Sequence, residues 1–230
     1  MRSKVLVPGD DIAAAIITGL EQLARDGITV EDRDLLVVSE KSLAISQGRS
    51  VPVADMHPSR LARVLSRLVT RSGTGVGLGH PSTMQLAIDE AGAPRILLAT
   101  AASAVTRPFG LRGVFYRVAR NGVNAIDGPS SLNLPPYDTW ATKAPLDSAG
   151  AALRIARRVA EHTGRHVGVA IIDANDMAAE VLAATDGVSV TDVLAVVADN
   201  PLGQSDEQTP FGLVRRVAPA AVPVLAGAVR

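Results

Sequence analysis

The chain has 230 residues, no cysteine, 47% hydrophobic residues, and 23 basic against 23 acidic residues. Length and apolar content require a folded protein with a sizeable core, and the missing cysteines exclude disulfides, thiolate metal sites and a cysteine nucleophile. Balanced charge and only 3% aromatics argue against nucleic acid or an anionic membrane as partner.

In chain order, residues 4–7 read as a short strand and Pro8-Gly9-Asp10-Asp11 as a turn. Asp10 or Asp11 N-caps a helix over residues 12–26, whose apolar positions Ile12, Ala15, Ile16, Leu20 and Leu23 keep helical spacing. Residues 34–39 form a buried strand that runs into Glu40-Lys41-Ser42. Strand-to-turn segments carrying Ser and Lys suit phosphate, because free N–H groups and an ammonium meet there; taken alone, Lys41 reads equally as a surface lysine. Residues 58–71 predict an amphipathic helix with Arg60, Arg63, Arg67 and Arg71 on its polar side. The glycine-rich stretch 72–81 lacks the dinucleotide-binding spacing and reads as a connection.

A short helix is expected over 82–90 and strands over 95–100 and 114–119. Arg107 and Arg112, with Arg117 and Arg120 nearby, suit a carboxylate or phosphate ligand, or are ordinary surface arginines. Residues 121–131 are a polar, turn-rich segment. Then follow a helix over 146–162, a strand over 167–172, the polar turn Asp173-Ala174-Asn175-Asp176, a helix, the loop 199–210 and a strand over 211–217. No repeat or low-complexity linker divides the chain, so one α+β unit spanning 1–230 is expected, with mixed sheets, packed helices and at most a soft boundary within 105–140. No apolar run approaches a membrane span or a signal peptide, which makes the cytoplasm the expected compartment.

Two segments are richer in oxygen than turns require: Asp173–Asp176 and the loop 199–210, which carries Asn200, Gln204, Asp206, Glu207 and Gln208. Asp173 follows an apolar strand, at the strand end where α/β layers place ligands. Asp173, Asp176, Asp206 and Glu207 are hard donors suited to Mg²⁺ or Mn²⁺; the competing explanation is a helix cap plus solvated acids. No His pair has the spacing for zinc.

With these segments in hand, the chain resembles the coenzyme F420-0:L-glutamate ligase family, the γ-glutamyl ligases of deazaflavin biosynthesis, as a shorter, divergent branch. The resemblance is carried by Pro8-Gly9-Asp10-Asp11 before a helix, by Asp34-Leu35-Leu36-Val37-Val38-Ser39-Glu40-Lys41-Ser42 with Gly48-Arg49, by IIDANDM, and most specifically by ADNPLGQSDEQTPFGLVR. It implies an intertwined, homodimeric ligase fold and a GTP-driven reaction, in which a carboxylate becomes an acyl phosphate that the amine of L-glutamate or a similar compound attacks. It also implies divalent Mg²⁺ or Mn²⁺, with K⁺ assisting. By position it places Asp173 among the metal ligands and Lys41 and Ser42 near the nucleotide phosphates. Asn175, Gln204 and Gln208 are expected to position the nucleotide; Asp173, Asp176 and Asp206 to serve catalysis; Asp127, Asp206 and Glu207 to join Asp173 at the metal; and Arg107 and Arg112 to hold an acidic substrate. The chain departs from the family's A-N-A-G-V-D-x-S-N motif: Asn124 stands where Asp is expected, with Asp127 three residues later as a substitute. That departure leaves an alternative open, a non-catalytic relative that binds nucleotide, metal or deazaflavin.

Overall fold

The computed structural model describes residues 1–69, 77–111, 113–120, 122–131, 133–175, 178–203 and 207–215, with Asn175 and Ala178 described as backbone only. It is a mixed α+β fold built on a four-stranded sheet ordered β5-β4-β1-β6, where β1 is Leu35–Ser39, β4 Gly168–Asn175, β5 Ala178–Ala184 and β6 Phe211–Val214. Strands β1 and β4 run parallel, Leu35 pairing with Gly168 and Ser39 with Ile172, while β5 and β6 flank them antiparallel.

The alternation of β1 decides the layering. Leu36 and Val38, with Val169, Ile171 and Phe211, face helices α1 (Ile12–Arg25) and α7 (Ser148–Thr163), meeting Ile16, Leu20, Ile155 and Val159. Leu35 and Val37, with Ala170 and Ile172, face α8 (Val190–Val196) and meet Val193 and Val197. A strand covered on both faces must be apolar throughout, as Leu35–Val38 is; each such buried side chain contributes about 1.5–3 kcal/mol. Asp11 caps α1, its Oδ1 accepting from the N–H of Ala13 at 2.9 Å and of Ala14 at 3.1 Å, worth about 1 kcal/mol.

A helical lobe sits between two short strands that pair antiparallel, β2 (Ser50–Pro52) and β3 (Trp140–Thr142). It comprises α3 (Arg60–Leu68), α4 (Pro81–Ala91), α5 (Ala93–Thr106) and α6 (Val114–Ala119), packed on Ala62, Leu65, Leu78, Met84, Leu86 and Ile96. Glu90 of α4 ties the lobe down: its carboxylate meets Arg49 and Lys143, each at 2.8 Å, and these two residues lie just before β2 and just after β3.

Five local expectations are corrected. Residues 4–7 form no strand; Leu6 O instead accepts from Tyr137 Oη at 2.7 Å, and Lys4 pairs with Asp10 at 2.9 Å. Residues 95–100 and 114–119 are helical. In α5, Ile96 and Ala99 alone turn to the core, three residues apart, and the alanine-rich composition favours a helix. The segment carrying Lys41 and Ser42 is a short helix, α2 (Glu40–Ser46), rather than an open turn. Asp173 leads into no helix: β4 continues through it and pairs with β5, so it caps nothing. Among the described residues, no helix is long and apolar enough to cross a membrane.

Candidate functional site

The parallel pairing of β1 and β4 brings their C-terminal ends to one side of the sheet, the side where open α/β sheets hold ligands. β1 ends at Ser39, and α2 begins at once with Glu40 and Lys41; β4 ends beyond Asp173. A third segment supplies Asp127, whose backbone is fixed by an antiparallel bridge with Thr142, N–H to O at 2.9 Å in both directions.

The side chains of these segments converge. Lys41 Nζ lies 2.7 Å from Asp127 Oδ2 and donates to Asn133 Oδ1 at 3.1 Å, while Asn133 Nδ2 donates to the Tyr137 carbonyl at 3.3 Å. Glu40 is buried, with 8% of its surface exposed. Desolvation above all, then the charges of Asp173, Asp127 and Glu180, push its carboxyl from an ordinary 4.5 up to about 8, with Lys41 opposing. Asp173 retains open surface, yet it is raised as well, first by partial burial and then by Asp127, again against Lys41. Glu180 stands directly opposite Asp173 in the β4–β5 register. The ammonium of Lys41 thus pairs with Asp127 and offsets part of the charge of Glu40 and Asp173, while Glu180 adds a further negative charge beside Asp173.

Of the residues expected from sequence, Asp127, Asp173 and Lys41 are brought together, and it is the Asp127 carboxylate that acts on Asp173; Asn124 is exposed on the short 3₁₀ turn before it. Ser42 follows Lys41 on α2, half-buried. Glu207 and Gln208 are exposed, and a Cβ placed on Gly203 would meet the Glu207 carboxylate, which therefore lies over its own loop. Gln208 binds through its backbone, its carbonyl accepting from Ser3 N–H at 2.9 Å. Arg107 is exposed at the end of α5, on the helical lobe. Arg112, Asp176, Gln204, Asp206 and the side chain of Asn175 lie outside the described residues.

Glu40, Glu180 and Asn133 escaped the sequence reading. Glu40 carried a signal, an acid between a buried strand and a lysine; Glu180 carried none.

Asp127 and Asp173 carry hard oxygen donors of the kind Mg²⁺ takes. Among the described residues, no three His or acidic side chains are grouped closely enough to hold a metal by themselves. Mg²⁺ commonly takes only one or two carboxylates and completes its shell with water and phosphate oxygens, which the pair Asp127 and Asp173 suits.

Comparison with known proteins shows the family. The family described as F420-0:Gamma-glutamyl ligase matches residues 1–189. A coenzyme F420:L-glutamate ligase from Archaeoglobus fulgidus is 29% identical over 167 residues, covering 73% of this chain and 55% of the relative, so the chain spans about half the length of that protein. With most of its length matched, this chain belongs to the F420-0:gamma-glutamyl ligase family.

Proposed function

We propose that this protein is a GTP- and divalent-metal-dependent carboxylate–amine ligase, joining an acidic substrate to L-glutamate or a similar amine as a γ-glutamyl-type amide. The observation that carries the proposal is the meeting of Lys41, Asp127 and Asp173 at the shared end of β1 and β4, in a chain of a family of amide-forming ligases. Asp127 and Asp173 would hold Mg²⁺ or Mn²⁺, which supplies charge neutralisation to the phosphates of GTP.

Around that centre the chain's own groups have separate tasks. The Lys41 ammonium, aimed by Asn133, binds a phosphate oxygen and stabilises the charge that develops as the γ-phosphoryl group moves. The substrate carboxylate attacks Pγ; the new O–P bond forms as the bond to the β-phosphate oxygen breaks, and GDP leaves. The amine, after losing its ammonium proton, attacks the acyl carbon; the C–N bond forms, the C–O bond breaks, phosphate leaves with the electron pair, and the second N–H proton passes to solvent. No covalent enzyme nucleophile is needed, in keeping with a chain free of cysteine.

Arg107 and Arg112 would hold the acidic substrate, Gln204 would position the nucleotide, and Asp206 and Glu207 would join the metal. A cytoplasmic homodimer is the expected form, and the exposed Leu98, Val105 and Phe109 of the helical lobe provide apolar surface for a second copy.

The test is phosphate release from GTP by the purified chain, given divalent metal, the acid and the amine together. Release that requires all three supports the ligase. Stoichiometric nucleotide binding with no amide formed favours the non-catalytic relative, a reading that Asn124 in place of the family's Asp supports.

A further inference from the structure

Charge is divided unevenly along the chain. Residues 53–126, which form the helical lobe, carry nine arginines against Asp55, Asp89 and Glu90, a net +6 in a chain that is neutral overall. Helix α3, RLARVLSRL, holds three of those arginines and no acid. Like charges three or four residues apart weaken a helix, and the lobe's own acids do not relieve them. Glu90 meets Arg49 and Lys143, and Asp89 accepts from Gln85 Nε2 at 2.8 Å. Among the described residues, Arg60, Arg63 and Arg67 form no ion pair with any carboxylate. The helices against the sheet differ: Arg25, Arg154 and Arg158 there each meet an acid.

Two of the uncompensated arginines line a cavity. It has a volume of about 550 Å³, lies between α3 and the start of α4, and is walled by Arg63, Ser66, Arg67, Val69, Gly79 and Pro81. Ala62, Leu65 and Ser66 are buried and fix the rotation of α3, so Arg63 and Arg67, one turn apart, are held on the cavity side. We propose that this cavity binds the phosphate group of a small organic phosphomonoester, at a site apart from the ends of β1 and β4. A phosphomonoester carries about −1.5 to −2 charges at pH 7, which matches two guanidinium groups. Each planar fork offers paired donors to its oxygens, whereas a lone carboxylate would answer one arginine and leave the other. The volume falls within the range of about 300–1,000 Å³ usual for small-molecule sites. That is more room than a bare anion fills, and Val69 and Pro81 give the organic part an apolar wall. The proposal stands independently of the ligase reading, since no residue given a task there is among these walls.

The test is calorimetric titration of the full chain in metal-free buffer with phenyl phosphate, inorganic phosphate and benzoate. Wild-type protein is expected to bind phenyl phosphate more tightly than inorganic phosphate, and about tenfold or more above benzoate. Arg63→Gln and Arg67→Gln are each expected to weaken phenyl phosphate by about tenfold or more. Both side chains are exposed, so the fold should survive either change, as a circular-dichroism melt verifies. Arg60→Gln removes a charge from the same helix without altering the cavity wall, and is expected to bind within about threefold of wild type. Lys41→Gln removes the cation of the other site and is expected to leave phenyl phosphate binding unchanged. No binding by the wild type, benzoate bound as tightly as phenyl phosphate, or equal losses in all three arginine variants would each overturn the proposal. So would loss of binding in Lys41→Gln, which would put the phosphate at the sheet's end instead.

Discussion

Lys41 and Asp127, brought together from two distant segments, lie 2.7 Å apart at the end of the central strands, and the same ammonium tempers the charge on Asp173. An ammonium and two carboxylates are thus held at one end of the sheet, as the proposed transfer of a phosphoryl group to a carboxylate would require.

Asp173→Asn is expected to lower metal-dependent phosphate release by about 10²-fold or more, since it removes a charge that holds the cation at the reacting phosphates. The fold should survive, because the side chain keeps its size and Asp173 makes no cap. Steady-state kinetics beside a circular-dichroism melt checks both halves; an unchanged rate would remove Asp173 from the chemistry.

Asn133→Ala acts through Lys41. Without the amide oxygen at 3.1 Å, the lysine keeps only its pairing with Asp127. Supporting contacts of this kind commonly govern about 10–100-fold in the function of the group they orient. KM for GTP is expected to rise about tenfold with a smaller change in KM for the amine, and Asn133→Gln should recover less than half of the loss. Equal changes in both constants would mark a general structural defect.

The raised carboxyl of Glu40 makes stability depend on pH. Between about 4.5, its ordinary value, and about 8 in the fold, the folded protein keeps a proton that the unfolded chain has released. The folded state is thus favoured at the low end of this window, and the contribution is lost as pH rises through 8. Asp173, raised for related reasons, adds in the same direction. Below about pH 4.5 the order reverses, because Asp10, Asp32, Asp147 and Glu90 are held below their usual values and lose their partners when protonated. Glu40→Gln is expected to raise Tm at pH 8 in metal-free buffer, by about 2–4 °C for each kcal/mol recovered, and to leave Tm at pH 4.5 nearly unchanged. Thermal melts across pH 4–9 measure this.

Glu90→Ala is expected to loosen the helical lobe. It would leave Arg49 and Lys143, both mostly buried, facing each other without their shared carboxylate. Breaking such a pair on one side costs about 3–5 kcal/mol when fully buried; with part of the clasp open to water, about 2–3 kcal/mol is expected here. Chemical denaturation reads the total, and hydrogen exchange should show α4 losing protection before β1 and β4.

The amino-acid sequence by itself determined the layered core, because each strand and long helix carries its period in its own residues. Leu35-Leu36-Val37-Val38 is apolar at every position and so is covered on both faces, and Ile12, Ile16, Leu20 and Leu23 recur at helical spacing. It also marked Asp173 and Lys41, since an acid or a base at the end of a buried strand has nowhere to go but the sheet's rim. Tertiary structure alone decided which groups meet there. The parallel register of β1 with β4 sets Glu40 beside Asp173, the bridge to Thr142 delivers Asp127, and the antiparallel pairing of β5 with β4 sets Glu180 opposite Asp173. Local patterns missed α5 and α6 for the same reason: short apolar runs fit a strand or a helix equally well, and only packing on Met84, Leu86 and Val123 chose between them.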